Sequence, residues 1–274
     1  MYKIGSFFGQ LNAGVREGFA RDVDEALAKG REHGIVELDF NSKDINADTN
    51  AMLARAGMKA ASVHGFAPLE FDTREKYAAS LDYMKNAINK AVSVGSPYFM
   101  NVPQIPDGTP PEKLDDYVKA LREQFHDLCE YAKGLPITVT VEDFSIRESA
   151  YATIEDIKYL LDNNPTLMFT YDSGNFPLAG VDEIEGLKAF IDRVVYVHLK
   201  DLKVTDGEGL LRDGVVYDSL ELGGGFVKNA EAMKIIKNAG WVDGTVTVEV
   251  NSEFDIFKRT IQSADWVADL FAKL

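Results

Sequence analysis

Cysteine, histidine and basic side chains are what this 274-residue chain is short of: it has one cysteine, four histidines, and 29 lysines and arginines against 44 aspartates and glutamates. With Cys129 alone there is no intramolecular disulfide and no cysteine metal cluster, so any metal must rest on oxygen and imidazole. The formal net charge of −15 argues against a nucleic-acid substrate, because phosphate backbones are held largely by neutralising lysine and arginine. The same balance disfavours an anionic membrane surface, and no apolar stretch approaches the ~20 residues needed to cross a bilayer. The opening residues Met1-Tyr2-Lys3-Ile4-Gly5-Ser6 lack the basic start, apolar middle and cleavage site of a secretory signal, so a cytoplasmic location is expected. No linker rich in Pro, Gly or Ser and no low-complexity tract divides the chain, and one domain spanning residues 1–274 is expected.

What is present is an alternation of short β-rich apolar runs with longer segments of helical periodicity, the pattern of repeated βα units around a parallel sheet. Eight strands are predicted: Lys3–Phe7, Val36–Phe40, Lys59–Val63, Tyr98–Val102, Ile137–Val141, Leu167–Tyr171, Val194–Val197 and Thr245–Val248. Each is followed by a candidate helix. The third repeats Tyr77, Leu81, Met84, Ile88, Ala91 and Val92 along one face, and the fourth does so with Leu114, Tyr117, Val118, Leu121, Phe125 and Leu128. Helix starts are signalled at Asp72-Thr73, at Pro110-Pro111-Glu112 and at Thr153-Ile154-Glu155-Asp156. The stretch from Leu202 to Gly225, with Asp206-Gly207-Glu208-Gly209 and Glu221-Leu222-Gly223-Gly224-Gly225, reads as one long irregular loop. The expected class is α/β, a (β/α)8 TIM barrel.

In such a barrel, catalytic residues come from the C-terminal ends of the strands, which converge on one rim. Taking the first polar residue after each apolar strand gives Glu142 after Val141, Asp172 after Tyr171, His198 after Val197 and Glu249 after Val248. Three carboxylates and an imidazole on one rim would repel and raise one another's pKa values unless a cation sat among them. One divalent metal ion resolves that conflict. The oxygen-rich set suits Mn2+, Mg2+ or Co2+ best, and Zn2+ stays open. Any one of the four taken alone would more often be a solvated strand-end group.

The chain resembles the xylose isomerase-like barrels, a family that includes sugar phosphate isomerases and epimerases, ketose 3-epimerases and inosose dehydratases. The resemblance is carried by Val141-Glu142-Asp143, Tyr171-Asp172-Ser173-Gly174-Asn175, Val197-His198-Leu199-Lys200-Asp201, Leu222-Gly223-Gly224-Gly225 and Ala239-Gly240-Trp241 leading into Val246-Thr247-Val248-Glu249-Val250. It implies that Glu142, Asp172, His198 and Glu249 are the metal ligands, and that Glu148 falls where ketose 3-epimerases bind substrate. It also implies a small-molecule sugar or polyol as substrate and a homo-oligomer as the assembly. Asn175 stands where those epimerases carry a substrate-contacting histidine, Val204 where they carry an arginine, and Gly224 where the turn often carries an acidic residue. These departures point away from a plain ketose 3-epimerase.

The constellation implies enolisation, with Glu142 and Glu249 exchanging the roles of base and acid around an enediolate. Epimerisation or isomerisation follows from reprotonation; a dehydratase or lyase follows if a β-hydroxyl leaves instead. Two further readings are a polyol-binding barrel without catalysis and a nuclease of the type that cuts at abasic sites, which the few histidines and the acidic charge disfavour.

Other residues carry two readings each. His64 could touch substrate or be a rim histidine held by hydrogen bonds. Lys200 could bind a substrate oxygen or phosphate, or be a salt-bridge partner. Asn175 is a substrate-binding candidate by its position. Glu37 could face the barrel mouth or be structural, Arg147 could pair with Glu148 or with substrate, and Phe7, Phe8 and Phe66 could wall a pocket or pack in the core. His33 and His126, within helical patterns, are expected at the surface.

Overall fold

β-Branched and aromatic runs pair because each buries both faces in a parallel sheet covered by helices. The computed structural model describes residues 2–207, 209–252 and 254–274. Its strands are β1 Lys3–Phe7, β2 Ile35–Asn41, β3 Lys59–Pro68, β4 Tyr98–Gln104, β5 Thr138–Glu142, β6 Met168–Asp172, β7 Val194–Thr205, β8 Leu210–Arg212, β9 Val215–Leu220 and β10 Thr245–Glu249. Strands β1 to β7 pair in sequence order, and β10 pairs with both β1 and β7. All of these pairings are parallel, so eight strands close into a (β/α)8 barrel as the alternation predicts.

The surrounding helices are α1 Phe8–Arg16, α2 Val23–Glu32, α3 Thr49–Ala56, α4 Arg74–Ser93, α5 Leu114–Ala132, α6 Ile154–Asn163, α7 Asn175–Leu178, α8 Glu183–Phe190, α9 Asn229–Asn238 and α10 Ile256–Lys273. On α4 the residues spaced for one face, Tyr77, Leu81, Met84, Ile88 and Ala91, are buried. Tyr117, Leu121, Phe125 and Leu128 of α5 are buried likewise. The predicted helix starts have a physical basis. Thr73 accepts a hydrogen bond from the Lys76 amide, and Thr153 with Asp156 forms a reciprocal capping box, each such cap contributing about 1 kcal/mol.

The stretch after Lys200 departs from the expected irregular loop. Strand β7 runs on past the barrel to Thr205 and pairs antiparallel with β9, which pairs in turn with β8. The hairpin between β8 and β9 turns at Asp213 and Gly214, both at positive φ, 49° and 81°. Asp-Gly between two β-rich runs is the sequence signal of a two-residue hairpin, and Leu210-Leu211-Arg212 and Val215-Val216-Tyr217 supply those runs. Glu208, within the predicted loop, and Met1 lie outside the described residues.

Candidate metal centre

Strand ends bring the four candidate ligands together. Glu142, Asp172 and Glu249 are the last residues of β5, β6 and β10. His198 lies within β7 because that strand continues beyond the barrel. Register does the rest: Asp172 is opposite His198, and Glu249 is opposite Lys200. One ligand atom from each of Glu142, Asp172, His198 and Glu249 lies within 4.8 Å of every other, and the first three side chains are buried.

The imidazole is oriented from behind. His198 Nε2 is 2.8 Å from Asp39 Oδ2, which leaves Nδ1 facing Glu142 Oε1 at 2.5 Å and Glu249 Oε2 at 3.4 Å. Asp39 is itself fixed. Tyr196 donates its hydroxyl to Asp39 Oδ1 and accepts from Thr247, 2.6 Å away. A carboxylate behind a histidine that points its other nitrogen inward is the usual support of a metal-binding imidazole. Phe7 packs edge-on to His198, with ring centroids 5.1 Å apart.

Asp172 divides its two oxygens. Oδ1 accepts from the amides of Gly174 and Asn175 at 2.7 and 3.0 Å. Oδ2 is buried without a hydrogen bond; the Lys200 ammonium is 3.1 Å away but outside hydrogen-bond geometry. Lys200 Nζ also reaches Glu249 Oε1 at 2.9 Å and donates to Asn175 Oδ1 at 2.9 Å. Glu249 Oε1 accepts from Asn251 as well, at 2.8 Å, so its Oε2 is the oxygen left facing the centre.

The charges respond to one another at close range. Burial pushes the Asp172 carboxyl up to about 7 against the opposing pull of Lys200, and burial likewise raises Glu142. At Glu249 burial is outweighed by the charges of Lys200 and His198, which bring it down to about 2. Burial would lower His198, but the Glu142 and Asp39 carboxylates raise it well above the ordinary histidine range. A metal would displace that imidazolium proton, since a ligating nitrogen must be unprotonated. The donor set fits a divalent ion: three carboxylates, one backed imidazole and a buried oxygen on Asp172 without a hydrogen-bond partner.

Beside Glu249 lies a cavity of about 310 Å3, bordered by Phe7, Gln10, Asp39, Asn41 and His64 among others. That size is at the lower end of ligand pockets, ~300–1,000 Å3. His64 therefore sits at the cavity wall, with burial foremost in pushing its pKa down to about 4.

Other sequence candidates fall elsewhere. Asn175 is not free for substrate: its Oδ1 accepts from Lys200 and its Nδ2 donates to the Asp143 carbonyl at 2.9 Å. Lys200 is the salt-bridge partner of Asp172 and Glu249. Glu148 is exposed on a 3-10 turn, Arg147–Ser149, and does not border the cavity. Arg147 donates to the Ala179 carbonyl at 2.6 Å. Glu37 is structural, bonded to Lys3 at 2.7 Å and to Thr245 near the starts of β1 and β10. His33 and His126 are surface residues as expected, His33 half-buried beside Asp265 and His126 exposed. Phe8 stacks on Phe40, and Phe66 is 40% exposed.

Asp39 is the residue missed in the sequence. It lies inside β2 rather than after it, so a search for strand-end polar groups passes over it; the inward alternation of Glu37 and Asp39 is the available signal. Asp39→Asn is expected to weaken Mn2+ binding about 10- to 100-fold by titration calorimetry, with the thermal midpoint within a few degrees. Unchanged affinity would show that His198 needs no such support.

An α/β barrel with a cluster of acidic residues and one histidine at its C-terminal rim defines a class of (β/α)8 proteins with a candidate divalent-metal site. Within it, the chain belongs to the xylose isomerase-like TIM barrel family, whose model matches residues 22–270. It is 26% identical over 261 residues to L-ribulose-5-phosphate 3-epimerase UlaE of Shigella sonnei, covering 92% of this chain and 83% of that protein. In structure it is similar to 3-keto-D-glucoside 4-epimerase YcjR from E. coli, with a TM-score of 0.72, 15% identity, and 99% and 100% of the two chains covered. It is also similar to the IolI protein with a bound zinc atom, with a TM-score of 0.71, 16% identity and 99% and 98% covered.

Proposed function

We propose that this protein is a divalent-metal-dependent sugar isomerase or epimerase, in which Glu142, Asp172, His198 and Glu249 hold the ion and Glu142 and Glu249 move the proton. The observation that carries this reading is the convergence of the four ligand atoms within 4.8 Å of one another at the rim where barrel enzymes place their chemistry. The 3-epimerase and 4-epimerase relatives agree with it. A bound divalent ion supplies a Lewis acid that polarises the substrate carbonyl and acidifies the neighbouring carbon.

The chain's own residues do the remainder. Lys200 and Asn251 hold one oxygen of Glu249, so the other is aimed and cannot swing away. That oxygen takes the proton from carbon. Glu142, three strands away on β5 and against His198, returns a proton to the other face or to the adjacent carbon. Phe7 and His64 wall the cavity and exclude water from the enediolate. Mn2+ is the metal we assign, on the strength of three oxygen donors to one nitrogen; the zinc in IolI keeps Zn2+ as the second choice. A single domain over 1–274, a cytoplasmic location and a homo-oligomer complete the proposal on sequence grounds. A dehydratase or lyase shares the enolisation step, and Val204, 61% exposed with no guanidinium to offer, favours keeping it as the second reading.

The test is a panel of keto sugars, inososes and 3-keto glycosides incubated in D2O with Mn2+. Deuterium should enter at the carbon beside the carbonyl only when the metal is present. Failure of metal-loaded protein to exchange any member of the panel would remove the isomerase reading and its lyase variant together.

A further inference from the structure

Resting on the proposed function, we infer that the substrate is an unphosphorylated keto sugar or polyol, because the chain has filled its own phosphate-binding positions with carboxylates. In (β/α)8 barrels a substrate phosphate is commonly held by the loops after the seventh and eighth strands and by a helix N-terminus there, where backbone amides converge. Here the seventh and eighth barrel strands are β7 and β10.

After β7, the glycine turn forms a ring of amides closed around an internal anion. Asp201 Oδ2 accepts from Gly223 and Gly225 at 2.9 and 3.0 Å, and Oδ1 accepts from Leu202 and Val227 at 2.9 and 3.2 Å. The fit is close: a Cβ on Gly225 would fall 2.2 Å from Asp201 Oδ1. Just before α9 the Lys228 amide donates to Glu183 at 2.9 Å, while α9 itself has no side-chain cap. After β10, the first amides of α10, Ile256 and Phe257, donate to the two oxygens of Glu17 at 2.9 and 3.1 Å.

Two carboxylates, Asp201 and Glu17, thus sit on convergent amides of these loops, and a phosphate dianion bound there would have to displace one of them. The start of α1 also borders the cavity, at Gly9 and Gln10, and has no side-chain cap. It offers amides without a cation. No lysine or arginine is among the described residues bordering the cavity, whereas Asp39, Asp44 and Glu249 are. Two of the three nearby cations are held by other groups, and the third, Lys43, does not border the cavity. Lys200 is held by Asp172 and Glu249; Lys43 is exposed and borders a separate surface cavity beyond Asp44; Arg259 donates to the Ser219 carbonyl at 2.6 Å. Neutral hydroxyls, by contrast, find matched partners in Asn41, Asp44 and His64.

The experiment compares free ketopentoses and ketohexoses with their terminal phosphate esters as substrates of the Mn2+-loaded protein. The free sugars should show a kcat/KM about 100-fold higher or more, as like charges brought together disfavour the ester, and inorganic phosphate should not inhibit. Equal or better turnover of the esters overturns the inference. If neither kind turns over, calorimetry with the same pairs separates the two claims. Binding of free sugar without binding of ester retains this inference while the proposed reaction falls; tighter binding of the ester, or of neither, overturns it.

Discussion

Glu249→Gln should lower turnover about 1,000-fold or more while leaving the folded protein intact. The change is isosteric. It keeps an oxygen for Lys200 and Asn251 to bond, but it removes both the anionic ligand and the group that takes the proton from carbon, each of which alone contributes about 100-fold or more. Lys200 retains Asp172 at 3.1 Å, so no buried charge is left alone. Steady-state kinetics beside a thermal melt is the check. A melt within a few degrees of the parent with activity retained within tenfold would take Glu249 out of the mechanism.

Lys200→Met should have the largest effect on stability, and the effect should depend on metal. The ammonium is 3% exposed as a residue and stands within 3.1 Å of two carboxylates. Removing one member of a buried ion pair typically costs about 3–5 kcal/mol, because the remaining charge is left uncompensated. Methionine matches the stem in length and apolar character, which confines the loss to the charge. Urea unfolding in chelator should show that loss, and Mn2+ should restore more stability to the variant than it adds to the parent. Equal stability of the two proteins in chelator would mean that Lys200 does not compensate the carboxylates.

The barrel was legible in the sequence because strand and helix periodicities are local and alternate cleanly. Leu81, Met84 and Ile88 declare one face of α4 without reference to anything distant. The four candidate ligands were legible for a related reason: a parallel barrel collects its strand ends on one rim, so the first polar residue after each strand is placed by topology. What failed to show was set by contacts between distant residues. Asn175 and Lys200 look free for substrate until the fold brings them 2.9 Å apart. Asp201 reads as part of a motif, and only the folded turn shows its carboxylate bonded to four amides. Glu17 gives no sign in the sequence that it reaches Ile256 and Phe257. The β8–β9 hairpin is a different case, since Asp213-Gly214 carried the signal and the surrounding glycines obscured it.

Titration of chelator-stripped protein with Mn2+, followed by calorimetry and thermal melting, tests the catalytic metal centre most directly. One ion should bind per chain with a rise in the thermal midpoint, and Asp172→Asn should weaken both. Absence of stoichiometric binding by Mn2+, Mg2+, Co2+ and Zn2+ alike, with no metal-dependent stabilisation, would contradict the four-residue site and the chemistry built on it.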